Sequence, residues 1–136
     1  MAQYREHKPR KMKLLDEARD YYVYTMRILK KIPKSDRWLG AYDIRNLMGQ
    51  FSKDIKLANN TAVTNKEEYE NRHAYQTDAI AIMKTVPDML DEMMDVIHGM
   101  NYDGIDTWIQ TSEVIKAKLI AWQKSDEKRY TEVMTP

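Results

Sequence analysis

The 136-residue sequence has no cysteine, only four glycines, four prolines and a single phenylalanine. Without cysteine there are no disulfides and no thiolate metal sites, which fits a reducing compartment. So few turn-forming residues do not suit a β fold, whose short strands need a turn every few residues. No apolar run approaches the roughly 18 residues of a membrane span. The opening Met1-Ala2-Gln3-Tyr4-Arg5-Glu6 has no apolar signal core, so a cytoplasmic protein with no membrane partner is expected, and the Asn59-Asn60-Thr61 sequon is read as chance. There is no Gly-x-Ser-x-Gly elbow and no phosphate-binding glycine loop.

What is present is amphipathic. Apolar residues make up 43% and charged residues 32% of the chain, a globular composition sufficient for one domain, residues 1–136. At this length folding hides about two-thirds of the unfolded surface. The formal charge of +1 conceals a division. Residues 1–34 carry ten Lys/Arg against four Asp/Glu, whereas residues 59–103 carry three against nine. One edge of the fold is therefore expected to be basic and another acidic.

Four segments repeat apolar residues at helical spacing. The first, about residues 10–32, places Leu15, Ala18, Tyr22, Met26, Leu29 and Ile32 on one face and stops at Pro33. The second, about 36–58, is expected to start behind Ser35 as N-cap and to bury Ala41, Ile44, Met48, Phe51, Ile55 and Ala58. The third, about 66–100, opens at Asn65 with Glu68 three residues on, in the manner of a capping box. Its stripe runs from Tyr69, His73, Gln76, Ile80 and Met83 to Leu90, Met93, Met94 and Ile97. Pro87 lies within it, so the helix either bends there or stops and restarts; the unbroken apolar phase favours one helix kinked near Pro87. The fourth, about 105–128, follows the turn Asn101-Tyr102-Asp103-Gly104 and carries Ile105, Trp108, Ser112, Ile115, Leu119 and Trp122, with a frayed tail from Tyr130. Short connections favour antiparallel neighbours. The expected fold is all-α, an antiparallel up-down-up-down four-helix bundle.

A di-metal bundle enzyme needs two Glu-x-x-His pairs and two further inward carboxylates. Glu70-Asn71-Arg72-His73 and the near match Asp95-Val96-Ile97-His98 are 25 residues apart on one helix, roughly 37 Å by helix rise, too far to share one metal pair. The apolar stripes of the other three helices contain no acid. No catalytic residue, no metal ligand and no cofactor is therefore assigned, and His73 is read as a half-buried histidine.

The basic residues are the stronger signal. Arg5, Lys8, Arg10, Lys11 and Lys13 cluster at the start of the chain. Lys30, Lys31, Lys34 and Arg37 surround the first interhelical turn, and Arg45, Lys53 and Lys56 continue along the second helix. These seven, Lys30 to Lys56, are the candidate contacts for nucleic acid or a polymerase, against the plainer reading of a solvated face. Nine tyrosines and three tryptophans, together with ten methionines, exceed what one narrow stripe uses, which points to a second buried surface and an oligomer.

Lys31-Ile32-Pro33-Lys34-Ser35-Asp36-Arg37-Trp38-Leu39-Gly40 resembles the helix 1–2 junction of the four-helix-bundle family that joins 23S rRNA intervening-sequence proteins to the accessory variability determinants of diversity-generating retroelements. Ile115-Lys116-Ala117-Lys118-Leu119-Ile120-Ala121-Trp122 is similar to the closing helix of the accessory proteins. The resemblance covers about residues 12–128. Intervening-sequence proteins typically carry a Ser-Ile-Pro-Ser-Asn-Ile-Ala-Glu-Gly-like stretch where this chain has Tyr42-Asp43-Ile44-Arg45-Asn46-Leu47-Met48-Gly49-Gln50, so the accessory branch fits better. That resemblance implies a homopentamer. It also implies binding to the retroelement's reverse transcriptase and to template RNA or its cDNA, with the polymerase active site in the partner. The alternative is an intervening-sequence-type interaction bundle of unknown partner. Accessory proteins tend to be strongly basic, and here the third helix is acidic, which leaves either contact through the first and second helices or binding chiefly through the polymerase.

Overall fold

A computed structural model describes residues 13–97 and 104–134, whose regular elements are all helical. They are α1 (Lys13–Lys30), a 3-10 helix (Lys34–Leu39), α2 (Ala41–Asn60), α3 (Lys66–Val96) and α4 (Ile105–Met134), with no strand among the described residues. The expected helical residues 10–12 and 98–100, the turn residues 101–103, and Arg5, Lys8, Arg10, Lys11 and His98 lie outside the described residues.

The first junction departs from expectation. The last turn of α1 tightens, with Lys31 N–H donating to the Ile28 carbonyl and Ile32 N–H to that of Leu29, at 3.1 and 3.2 Å. Ser35 does not cap α2; it lies inside the 3-10 helix. The cause is Gly40, whose φ of 141° ends that helix and re-aims the chain into α2. Side chains rarely adopt this conformation, and glycine does so freely. The apolar periodicity of α2 is unaffected, which is why the sequence does not reveal the break.

The other ends follow local chemistry. Asn65 caps α3: its Oδ1 accepts from the Glu68 backbone N–H at 2.9 Å, and its Nδ2 donates back to Glu68 Oε1 at 2.8 Å. The α3 helix then runs through Pro87 to Val96 as one element, with Val86 and Pro87 both buried. The chain does not fray at Tyr130. It stays helical to Met134, and the Tyr130 ring stacks on Tyr69 at 4.2 Å and 4°.

α2 and α4 flank α3, and α1 closes the ring by touching both α2 and α4. The core between them contains Ile44, Met48, Phe51, Met83, Leu90, Ile115 and Leu119, all essentially inaccessible. Tyr21 stacks on Trp108 at 5.2 Å, and the Trp108 indole N–H donates to Thr25 Oγ1 at 2.7 Å. At the other end Arg72 of α3 forms a two-pronged ion pair with Asp126 of α4, at 2.7 and 3.1 Å. Gln76 donates to the same carboxylate at 2.7 Å. The seams of α1 are the loosest, and a groove lies on either side of it.

Candidate nucleic-acid interface

The site is built on the outer side of α2. Its buried residues Ala41, Ile44, Met48, Phe51, Ile55 and Ala58 turn one face inward. Tyr42, Arg45, Gly49, Lys53, Lys56 and Asn60, spaced by three and four, form the opposite line, and all six are exposed. No carboxylate falls on that line. The Arg45 guanidinium lies over the Tyr42 ring, 5.4 Å from its centroid. Tyr42 is 48% exposed and the neighbouring Trp38 is 74% exposed, so two rings that could bury face solvent beside cations. Aromatic planes interleaved with cations can stack bases and hold phosphates.

The residues singled out from sequence divide into two groups. Lys30, Lys31, Lys34, Arg45, Lys53 and Lys56 are exposed. No described carboxylate forms an ion pair with Lys30, Lys31, Lys34, Arg45 or Lys56. Arg37 is different. Its Nε donates to the Ile32 carbonyl at 3.0 Å and an Nη to the Lys30 carbonyl at 3.3 Å. It satisfies the open end of α1 and so holds the junction in shape.

Between α1 and α2 lies a groove of about 330 Å³. Leu15, Ala18, Phe51 and Ile55 form its apolar floor, and Tyr22 and Val23 line it from α1. Arg19, Lys56, Asn59 and Asn60 stand at its rim, and no Asp or Glu among the described residues lines it. Lys56 is thus common to the basic line and the groove. The groove on the other side of α1, about 730 Å³, contains Glu17 and Asp20 as well as Lys118. On α3 the exposed residues Asp88, Asp91, Glu92 and Asp95 are acidic, and Met93 of this stretch approaches Gly40. The junction end of the basic line therefore borders an acidic surface, and the Lys53–Lys56 end lies away from it.

Two buried acids overturn the expectation that the inward faces of the first, second and fourth helices lack carboxylates: Asp54 on α2 and Asp126 on α4, each 2% exposed. Asp126 is held by Arg72 and Gln76. Asp54 Oδ1 accepts from Gln50 Nε2 at 3.0 Å, its buried Oδ2 has no hydrogen-bond partner, and the Asp78 carboxyl is close enough to act on its charge. Burial and that second carboxyl push its pKa up to about 7. Burial likewise raises the Tyr21 phenol, and Tyr69 is raised by burial and by Glu127 and Asp126. His73 is half-buried beside the Tyr69 ring, 5.7 Å away, and its Nδ1 has no hydrogen-bond partner. The described residues contain no cluster of three His, Asp or Glu able to hold a metal, and no helix long and apolar enough to cross a membrane.

Sequence reasoning did not find Arg19, Tyr22, Asn59 and Asn60 as one surface, because they come together only when α1 packs on α2. No family model, no curated protein and no solved structure matches the chain.

Proposed function

We propose that this chain is a non-enzymatic accessory subunit of a diversity-generating retroelement, which binds the element's reverse transcriptase and template RNA in the cytoplasm. The observation that carries the reading is the carboxylate-free outer line of α2, with Arg45, Lys53 and Lys56 beside Tyr42. It follows directly on the Lys34-Ser35-Asp36-Arg37-Trp38-Leu39-Gly40 segment, where the family resemblance is carried and where Trp38 is left in solvent. In this reading the four long helices form an antiparallel up-down-up-down bundle. Glu17–Lys118 and Thr25–Trp108 between α1 and α4, and Arg72–Asp126 and Thr77–Gln123 between α3 and α4, support it, since residue numbers rise on one helix of each pair as they fall on the other. Helix α3 bends at Pro87, which offers no N–H to the Met83 carbonyl. The assembly is a homopentamer, with the surplus of Tyr, Trp and Met at its subunit contacts.

The test is co-purification with the reverse transcriptase encoded beside the gene, together with titration of template RNA. Combined Lys30→Glu, Lys31→Glu and Lys34→Glu, or Lys53→Glu with Lys56→Glu, should weaken binding and flatten its salt dependence. Each lost phosphate contact removes about 0.7 from the log–log salt slope for a single strand. Arg37 is left intact because its loss would disturb the junction itself. Absence of a reverse transcriptase gene and of a template/variable repeat pair beside the gene refutes the reading, as does binding that none of the five changes alters. Light scattering on the pure protein checks the assembly, and a monomer would refute the pentamer.

A further inference from the structure

We propose that the groove between α1 and α2 is a base pocket: it receives one unstacked nucleobase of a single-stranded RNA whose phosphates follow Arg45, Lys53 and Lys56. This rests on the proposed function and adds where and how the strand is gripped. Four observations carry it. The groove is about 330 Å³, the size of a small-ligand site, with the half-buried Tyr22 on its wall above a closed apolar floor that includes Phe51. Its charged rim residues are cations alone, Arg19 and Lys56, which selects an anionic ligand. Asn59 and Asn60 add two side-chain amides at the same rim, each with donor and acceptor for a base edge. Lys56 also ends the basic line of α2, so a strand on that line arrives at the groove.

A groove that takes one base needs that base unstacked, so the fitting ligand is a single strand and not a duplex. Lys53 and Lys56 are about 4.5 Å apart along the axis, and Arg45 stands about 12 Å before Lys53. Sequence-dependent contact with RNA uses unstacked bases lying on aromatic rings with their edges on polar side chains. Arg19 is free to turn toward a phosphate, because its contact with Asp20 at 3.6 Å is an exposed pair of small net strength.

The experiment compares a short fluorescein-labelled single-stranded RNA with an abasic ribose-phosphate oligomer of equal length, by anisotropy, on the full chain. The RNA should bind about tenfold more tightly than the abasic strand, the contribution of one stacked base. Ser52→Trp, which fills the groove, should abolish that ratio, and Asn60→Ala, which removes an amide from its rim without changing charge, should reduce it, while the salt slope changes little. Circular dichroism melting identifies a variant that fails to fold, and the ratio in the unmodified chain does not depend on either variant. Equal binding of RNA and abasic strand overturns the base pocket but leaves the phosphate-binding reading in place. So does a ratio that survives in both folded variants. Loss of polymerase capture in these variants, with RNA binding unchanged, would assign the groove to a peptide and overturn the inference. Binding of neither oligomer refutes this inference and the RNA-binding reading together.

Discussion

Replacing Asp54 by Asn should remove most of a pH dependence that the fold carries in its α2–α3 seam. Asp54 is 2% exposed, and its ordinary pKa of 3.8 is raised to about 7 by burial and by the neighbouring Asp78 carboxyl. A buried Oδ2 with no donor beside a second carboxyl is a poor place for negative charge, so the seam favours the protonated state. The folded chain therefore holds a proton that the unfolded chain releases between about pH 4 and pH 7. A folded-state pKa above the unfolded value gives stability that is full below the unfolded pKa and lost as pH rises through the folded one. A displacement from 3.8 to about 7 corresponds to about 4 kcal/mol over the whole range, of which about 2.5 kcal/mol falls between pH 5 and pH 8. Entry of water on ionisation lowers the realised figure, so about 1–2.5 kcal/mol is the working expectation.

Asn is nearly isosteric with Asp. Its oxygen still accepts from Gln50, and its amide stays neutral whatever the pH. Urea unfolding of the original and Asp54→Asn chains at pH 5 and pH 8 gives four free energies. The original should lose stability relative to the variant on going to pH 8, and the variant should be the more stable of the two there. Asp78→Asn should reduce the same slope by removing the repelling partner. Identical pH dependence in the original and Asp54→Asn chains would refute the argument.

Other substitutions test the remaining joints. Arg72→Ala leaves Asp126 buried with Gln76 alone as donor, and should cost about 3–5 kcal/mol in denaturant unfolding. Gly40→Ala should cost about 1–3 kcal/mol through its φ of 141°, since a methyl meets nothing closer than the Met93 sulfur at 3.7 Å; an unchanged melting midpoint would contradict that. Trp108→Phe keeps the stack on Tyr21 and removes the bond to Thr25, for about 1 kcal/mol in the same assay. Metal analysis of protein purified without chelator should find no stoichiometric metal.

The long helices were legible because their signal is local. Leu15, Ala18 and Leu29, or Ile44, Met48 and Phe51, recur at helical spacing whatever they pack against, and Asn65 with Glu68 marks a start by itself. What the sequence hid depends on partners distant along the chain. Gly40 divides the second helix through a backbone angle that apolar spacing does not record. Tyr130 extends α4 because Tyr69 waits opposite it.

Asp54 and Asp126 were illegible for the same reason. Each reads as an ordinary polar residue of an amphipathic helix until its neighbour is known. Asp54 adjoins Ile55 at the edge of the α2 stripe, and only α3 decides that this edge is covered. Asp126 lies four residues beyond Trp122, the last apolar residue of the α4 stripe, and it is covered together with Arg72 and Gln76. Asp126 is bonded to Arg72 and Gln76 of α3 and so ties α4 to one register along it, whereas Asp54 is bonded only to Gln50 of its own helix. Apolar ridges slide by a turn at modest cost, whereas a turn of slip would leave a buried carboxylate without its partner. The loosely packed α1 has no such buried ionic tie to α2, and the groove with the cationic rim opens along that seam. The α3–α4 pair is pinned by its buried ion pair, and the α1–α2 pair, without one, leaves open space between its helices.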